Sequence, residues 1–165
     1  MIRFNADILN QLAKINARVR GLAKLPRSVR LDIPETEELK LVWIANKSGN
    51  GKPPRPKRDL ARANPLMREK MAEAFQAEAK KLVKGTSTDN KAPWVAAAVA
   101  AGKVVRSRIA DGNGGDLTLR PLAKSTVAKK TADGVRRPTA IGYHTGRLYQ
   151  AISDAVNGKK VKVQW

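Results

Sequence analysis

The 165-residue chain has no cysteine, which excludes a disulfide framework and any thiolate metal site. It has one histidine, His144, and a lone histidine makes no zinc site without several carboxylates at useful spacing. Aromatics are 4% of the residues, so a core has to be built from Leu, Val, Ile and Ala. No apolar run approaches the length of a membrane span. The opening residues, Met1-Ile2-Arg3-Phe4-Asn5-Ala6-Asp7, lack the hydrophobic region of a secretion signal, and the expectation is assembly in the cytoplasm. Acids are scarce as well. Fourteen Asp and Glu stand against 33 Lys and Arg, giving a net charge of +19 and a pI near 10.8. Such a balance speaks of polyanionic partners, DNA, RNA or an acidic protein surface, and not of fold. The cations are spread along the chain, which favours a basic folded surface over a basic tail.

The length favours one domain, residues 1–165. Ile8, Leu9, Leu12, Ile15, Val19 and Leu22 recur at helical spacing and predict an amphipathic helix over 6–24, ended by Leu25-Pro26. Residues 39–45 read as a strand, followed by a stiff extended connector at 52–58 that holds three prolines. Asn64-Pro65 opens a helix whose apolar stripe runs Met67, Met71, Ala74, Phe75, Ala79, Leu82. Glu69 is expected in its first turn, Lys80, Lys81 and Lys84 in its last, and Gly85 as its stop. Pro93 opens a third helix, and its alanines and Gly102 predict close packing against a neighbouring backbone. Residues 111–116 are a loop. A short helix is expected over 126–131 with Ser125 as its cap, and Thr145 is expected to cap one further turn. Residues 151–156 and 161–165 flank Asn157-Gly158 and read as a C-terminal hairpin. The predicted class is α+β: three main amphipathic helices packed on a small antiparallel sheet.

No reaction chemistry emerges. Asp111, Asn113 and Asp116 suggest a calcium loop, but Asp116 and Leu122 occupy the places where that motif needs Gly and Glu. Ser48-Gly49-Asn50-Gly51-Lys52 lacks the first glycine of a phosphate loop, and Pro53 replaces its Ser/Thr. No Gly-x-Ser-x-Gly elbow accompanies His144, which reads as structural. Glu35, Glu37 and Glu38 read as a solvated approach to a strand. Basic clusters remain: Arg18 and Arg20, Lys52 to Arg62, Lys103 to Arg108, Lys124 to Lys130, Arg136-Arg137, and Lys159 to Lys162. Without stacking aromatics or a reading motif, they suit phosphate contact and not sequence recognition.

Three elements occur in order: Pro53-Pro54-Arg55-Pro56; Pro121-Leu122-Ala123-Lys124-Ser125-Thr126-Val127-Ala128-Lys129-Lys130; and Thr145-Gly146-Arg147-Leu148 with Ala151-Ile152. The ordered set resembles tailed-bacteriophage virion morphogenesis proteins of the neck and tail-completion kind. The chain departs from that pattern at Lys57, where phenylalanine is usual, and at Tyr143-His144, where apolar and acidic residues are usual.

The resemblance implies a non-enzymatic structural subunit of the virion. It would form a homo-oligomeric ring at the head–tail connection or as a tail completion or terminator ring. Other phage connector or tail proteins would be its partners, and its basic face would meet either packaged DNA, non-specifically, or acidic portal and tail surfaces. The residues themselves lead to the expectation of no cofactor, metal, membrane or small-molecule substrate. The interface candidates are Pro53, Pro54, Arg55, Pro56, Thr145, Gly146, Leu148 and Trp165. The polyanion-contact candidates are Lys124, Lys129, Lys130, Arg136 and Arg137. The alternative reading is a basic nucleic-acid-binding protein acting alone.

Overall fold

The computed structural model describes residues 14, 17, 20–21, 25–34, 59–112 and 114–165. Lys14, Ala17, Arg20 and Gly21, all helical, are the described part of the helix expected over 6–24. The strand expected over 39–45 and the Pro53–Pro56 element lie outside the described residues. The other described residues form four helices and a two-stranded antiparallel sheet, a small α+β fold.

Helix α1, Pro65–Lys84, begins as its sequence dictates. The side-chain oxygen of Asn64 accepts the Met67 N–H at 3.0 Å, and Pro65 stands where no N–H is needed. Gly85 ends the helix at φ 79°, and its N–H donates to Leu82 O. The first turn carries no acid; Glu69 falls just beyond it. Helix α2, Ala92–Ala110, returns against α1, with Phe75 and Trp94 meeting edge to face at 4.8 Å between centroids.

Gly102 is the place on α2 where a side chain would not fit. A Cβ there would lie 2.4 Å from Leu31 Cδ1 and 2.7 Å from Val156 Cγ2. The expected close approach is therefore present, but side chains of two other elements make it, not a neighbouring backbone.

Helix α3, Lys124–Ala132, starts before Ser125, with Ala123 in extended backbone and no side-chain cap. Ser125 is thus inside the first turn and caps nothing. Helix α4, Arg147–Asn157, replaces the single turn and the hairpin strand expected after Thr145. Leu148, Ala151, Ile152, Ala155 and Val156 are all buried, and their 3–4 spacing forms one helical stripe. Burying that stripe outweighs the hairpin preference of Asn157-Gly158, which serves as the end of the helix instead.

The C-terminal strand still exists, but its partner is distant. Strand β1, Ser28–Leu31, pairs antiparallel with β2, Val161–Gln164, in the register Ser28↔Gln164, Val29↔Val163, Arg30↔Lys162, Leu31↔Val161. Helix α2 is the centre of the molecule: α1, α4 and both strands pack on it. The core joins Leu60, Met67, Val105, Ile109, Ile141, Leu148, Ile152 and Val156.

Candidate interaction surfaces

Arg108 sits on the same stripe of α2 as Val105 and Ile109 and is fully buried. All of its fork is engaged. Nε donates to Asp116 Oδ1 at 2.7 Å, and Nη2 to Asp116 Oδ2 at 2.8 Å and to Asn64 Oδ1 at 2.9 Å. Nη1 donates to Leu60 O at 2.7 Å and Arg62 O at 2.9 Å. A planar guanidinium alone can reach a carboxylate bidentately and two carbonyls at once. The residue therefore ties segment 59–64, the start of α1 and the 111–119 loop to one point on α2. The hydrogen bonds from Arg108 hold the Asp116 carboxyl down at about 2, with Asn64 assisting and partial burial opposing. Arg108 was expected among surface cations for phosphate contact; its burial removes it from that set.

Two of the five polyanion candidates are also engaged within the fold. Lys130 Nζ donates to Ala140 O at 2.8 Å and Tyr143 O at 2.6 Å, fastening the 133–146 loop to α3. Arg137 donates to Ala110 O at 2.8 Å and stands 5.9 Å over the Tyr143 ring. Lys124, Lys129 and Arg136 are exposed and make no ion pair among the described residues. Arg136 borders a shallow polar hollow with Asp133, Tyr143, His144 and Thr145.

A second group of cations comes from the sheet. Strand alternation turns Val29, Leu31, Val161 and Val163 towards α2, and Ser28, Arg30, Lys162 and Gln164 outward. On the outer face Arg30 stands directly opposite Lys162, and both are exposed. Among the described residues Asp32 is the acid beside them, 2.8 Å from Lys162 Nζ. Its N–H donates to Lys160 O, which extends the ladder to Lys160.

The turn that brings the chain from α4 into β2 has an unusual residue. The N–H of Lys159 donates to Val156 O and that of Lys160 to Ala155 O, the bond pattern of a Schellman helix end. That pattern needs a left-handed residue, usually glycine. Here it is Lys159, at φ 48°, while Gly158 next to it lies at φ −78°. A left-handed side-chain-bearing residue costs about 1 kcal/mol.

The interface candidates are divided. Thr145 Oγ1 accepts the Arg147 N–H at 3.3 Å, and Gly146 adopts φ 84° at the start of α4. Leu148 is 6% exposed and belongs to the core, so as a surface residue it is corrected. Trp165 is 42% exposed, close to Asn90 and Lys91 of the α1–α2 turn and to Arg20. Pro53, Pro54, Arg55 and Pro56 lie outside the described residues.

The chain matches no family model, no curated protein and no solved structure.

Sequence reasoning missed both the Arg108 clasp and the sheet face. A signal for the first was present: Arg108 lies three residues after Val105 on an otherwise apolar stripe, where an arginine has to be paired. The second depended on a strand of four residues, Ser28–Leu31, whose Val-Arg-Leu alternation is too brief to stand out.

Proposed function

We propose that the chain is a structural, non-enzymatic subunit of a tailed-phage virion, acting at the neck or in the tail completion or terminator ring. The observation that carries this reading is the ordered set of sequence elements, two of which coincide with joints of the fold. The Pro121–Lys130 element supplies α3 and ends on the lysine that fastens the following loop. The Thr145–Leu148 element supplies a left-handed glycine, a hydroxyl that accepts an N–H of the first turn, and a leucine anchored in the core. Residues of this kind specify a shape, which is what a ring component requires.

The test is direct. Particles made by the genome that encodes the chain are purified, their proteins identified by mass spectrometry, and the chain located by antibody labelling in the electron microscope. Label at the head–tail junction or tail end is expected. Infectious particles without the chain overturn the proposal. The surplus of positive charge favours one second reading, a nucleic-acid-binding protein acting alone. That reading expects the chain to be absent from particles and to hold free duplexes tightly, with a steep salt dependence.

A further inference from the structure

We infer that the outer face of the β1–β2 sheet, with its Arg30, Lys159, Lys160 and Lys162 tip, is a docking surface for the phosphate backbone of duplex DNA. The inference stands on the geometry of the sheet and holds whether the chain works inside a particle or alone.

Two independent features of this face set positive charge above local stability. Arg30 and Lys162 form a directly opposed cross-strand pair of like charge, an arrangement that weakens a sheet. Lys159 occupies the left-handed position that glycine fills without strain, although a glycine is the preceding residue. The negative end of α4 favours a cation just beyond it, but Lys160 supplies one at normal backbone geometry. Strain and like-charge crowding on one small surface are what a polyanion site leaves unrelieved until its ligand arrives.

The face selects among polyanions. All four cations are exposed, and Asp32 offsets one of them. Ser28 and Gln164 complete the outer face of the strands, which offers no apolar anchor of the kind an acidic protein partner would grip. Among the described residues it also has no aromatic on which the bases of a single strand would stack. Lys160 and Lys162 are two residues apart, about 6.6 Å along a strand. On the α3 side Lys130 and Arg137 are held by carbonyls, which leaves Lys124, Lys129 and Arg136, whereas the sheet and its tip carry Arg30, Lys159, Lys160 and Lys162, all exposed.

The test titrates the full chain with a fluorescent mixed-sequence duplex between about 50 and 200 mM salt. In the variant Arg30→Gln, Lys159→Asn, Lys160→Gln, Lys162→Gln, the slope of log affinity against log salt should become shallower by about 3–4. The α3-side variant Lys124→Gln, Lys129→Gln, Arg136→Gln should change it by less than about 1. An unchanged slope in the sheet variant, or an equal loss in the α3-side variant, overturns the assignment. So does binding of polyglutamate as tight as that of the duplex. Lys159→Gly alone guards against a folding artefact: it should melt at a higher temperature and yet bind the duplex more weakly. Stabilisation with undiminished binding removes Lys159 from the surface.

Discussion

Arg108 and Arg30 carry the same guanidinium and meet opposite fates. Arg108 is buried, and each of its three nitrogens donates to a carboxylate, an amide oxygen or a backbone carbonyl. Arg30 is exposed on a two-stranded sheet with a lysine facing it across the strands. The first charge is consumed in holding segment 59–64, α1, α2 and the 111–119 loop together. The second is exposed and makes no side-chain hydrogen bond or ion pair among the described residues. A net charge of +19 is therefore not one property of this chain. Its value for binding depends on which cations the fold has already engaged.

The largest test of that contrast is truncation of each arginine in turn. Arg108→Ala leaves Asp116 without its partner and two carbonyls without donors, and should cost about 3–5 kcal/mol in urea unfolding. Arg30→Ala should stay within about 0.5 kcal/mol of the parent. Comparable losses at the two sites would erase the distinction.

Acid provides the next test. Asp116 titrates at about 2 in the folded chain, against an ordinary 3.8, because Arg108 donates to its charged form. Between those values the unfolded chain binds more protons, so stability rises with pH. The contribution is complete above about pH 4 and is lost as pH falls towards 2. The side chain is 19% exposed, and solvent screening reduces the effect to roughly 1–2 kcal/mol. Stability of Asp116→Asn followed over the same window should lack this component. An identical pH slope in the two proteins would show that the clasp does not depend on the ionised carboxylate.

How much was readable beforehand follows the range of the forces involved. Helix α1 was legible because Asn64, Pro65 and Gly85 act within a few residues of themselves. The loop over 111–116 was legible for the same reason. The close approach at Gly102 was legible from its missing side chain, but what approaches, the side chains of Leu31 and Val156 and not a backbone, was not. Helix α4 was misread although Leu148, Ala151, Ile152, Ala155 and Val156 announce its period, because Asn157-Gly158 is a strong local hairpin signal. Tertiary burial decided against it. The pairing of residue 28 with residue 164 could not be read from either end alone, since register at that separation is set by what both strands bury on α2. Of the candidate surface, Lys124, Lys129 and Arg136 are exposed as expected of contact residues, whereas Leu148 is buried and Lys130 and Arg137 bond to carbonyls the sequence could not bring near them.

Gly102 marks the contact that places the sheet against the helices, and therefore the outer face towards solvent. Gly102→Ala gains helix propensity of about 0.5–1 kcal/mol. It also drives a methyl into Leu31 and into Val156, which is 3% exposed and stiff at χ1. Overpacking should exceed the propensity gain, for a net loss of about 1 kcal/mol by thermal unfolding. Net stabilisation would mean that β1 can shift away from α2 at little cost.

The smallest effect is the sharpest one for the contrast between the two arginines. Arg30→Glu converts the like-charge pair with Lys162 into an opposite-charge pair and should stabilise the protein by about 0.2–1 kcal/mol. Asp32 already holds Lys162 at 2.8 Å, which places the gain towards the lower end. The same substitution reverses a charge on the face assigned to DNA, so duplex affinity should fall while the melting temperature rises. A change at Arg108 cannot give that combination, because there binding and folding would fail together. If Arg30→Glu lowers stability, the outward cations are part of the fold after all, and the division of the chain's charge into engaged and available halves does not hold.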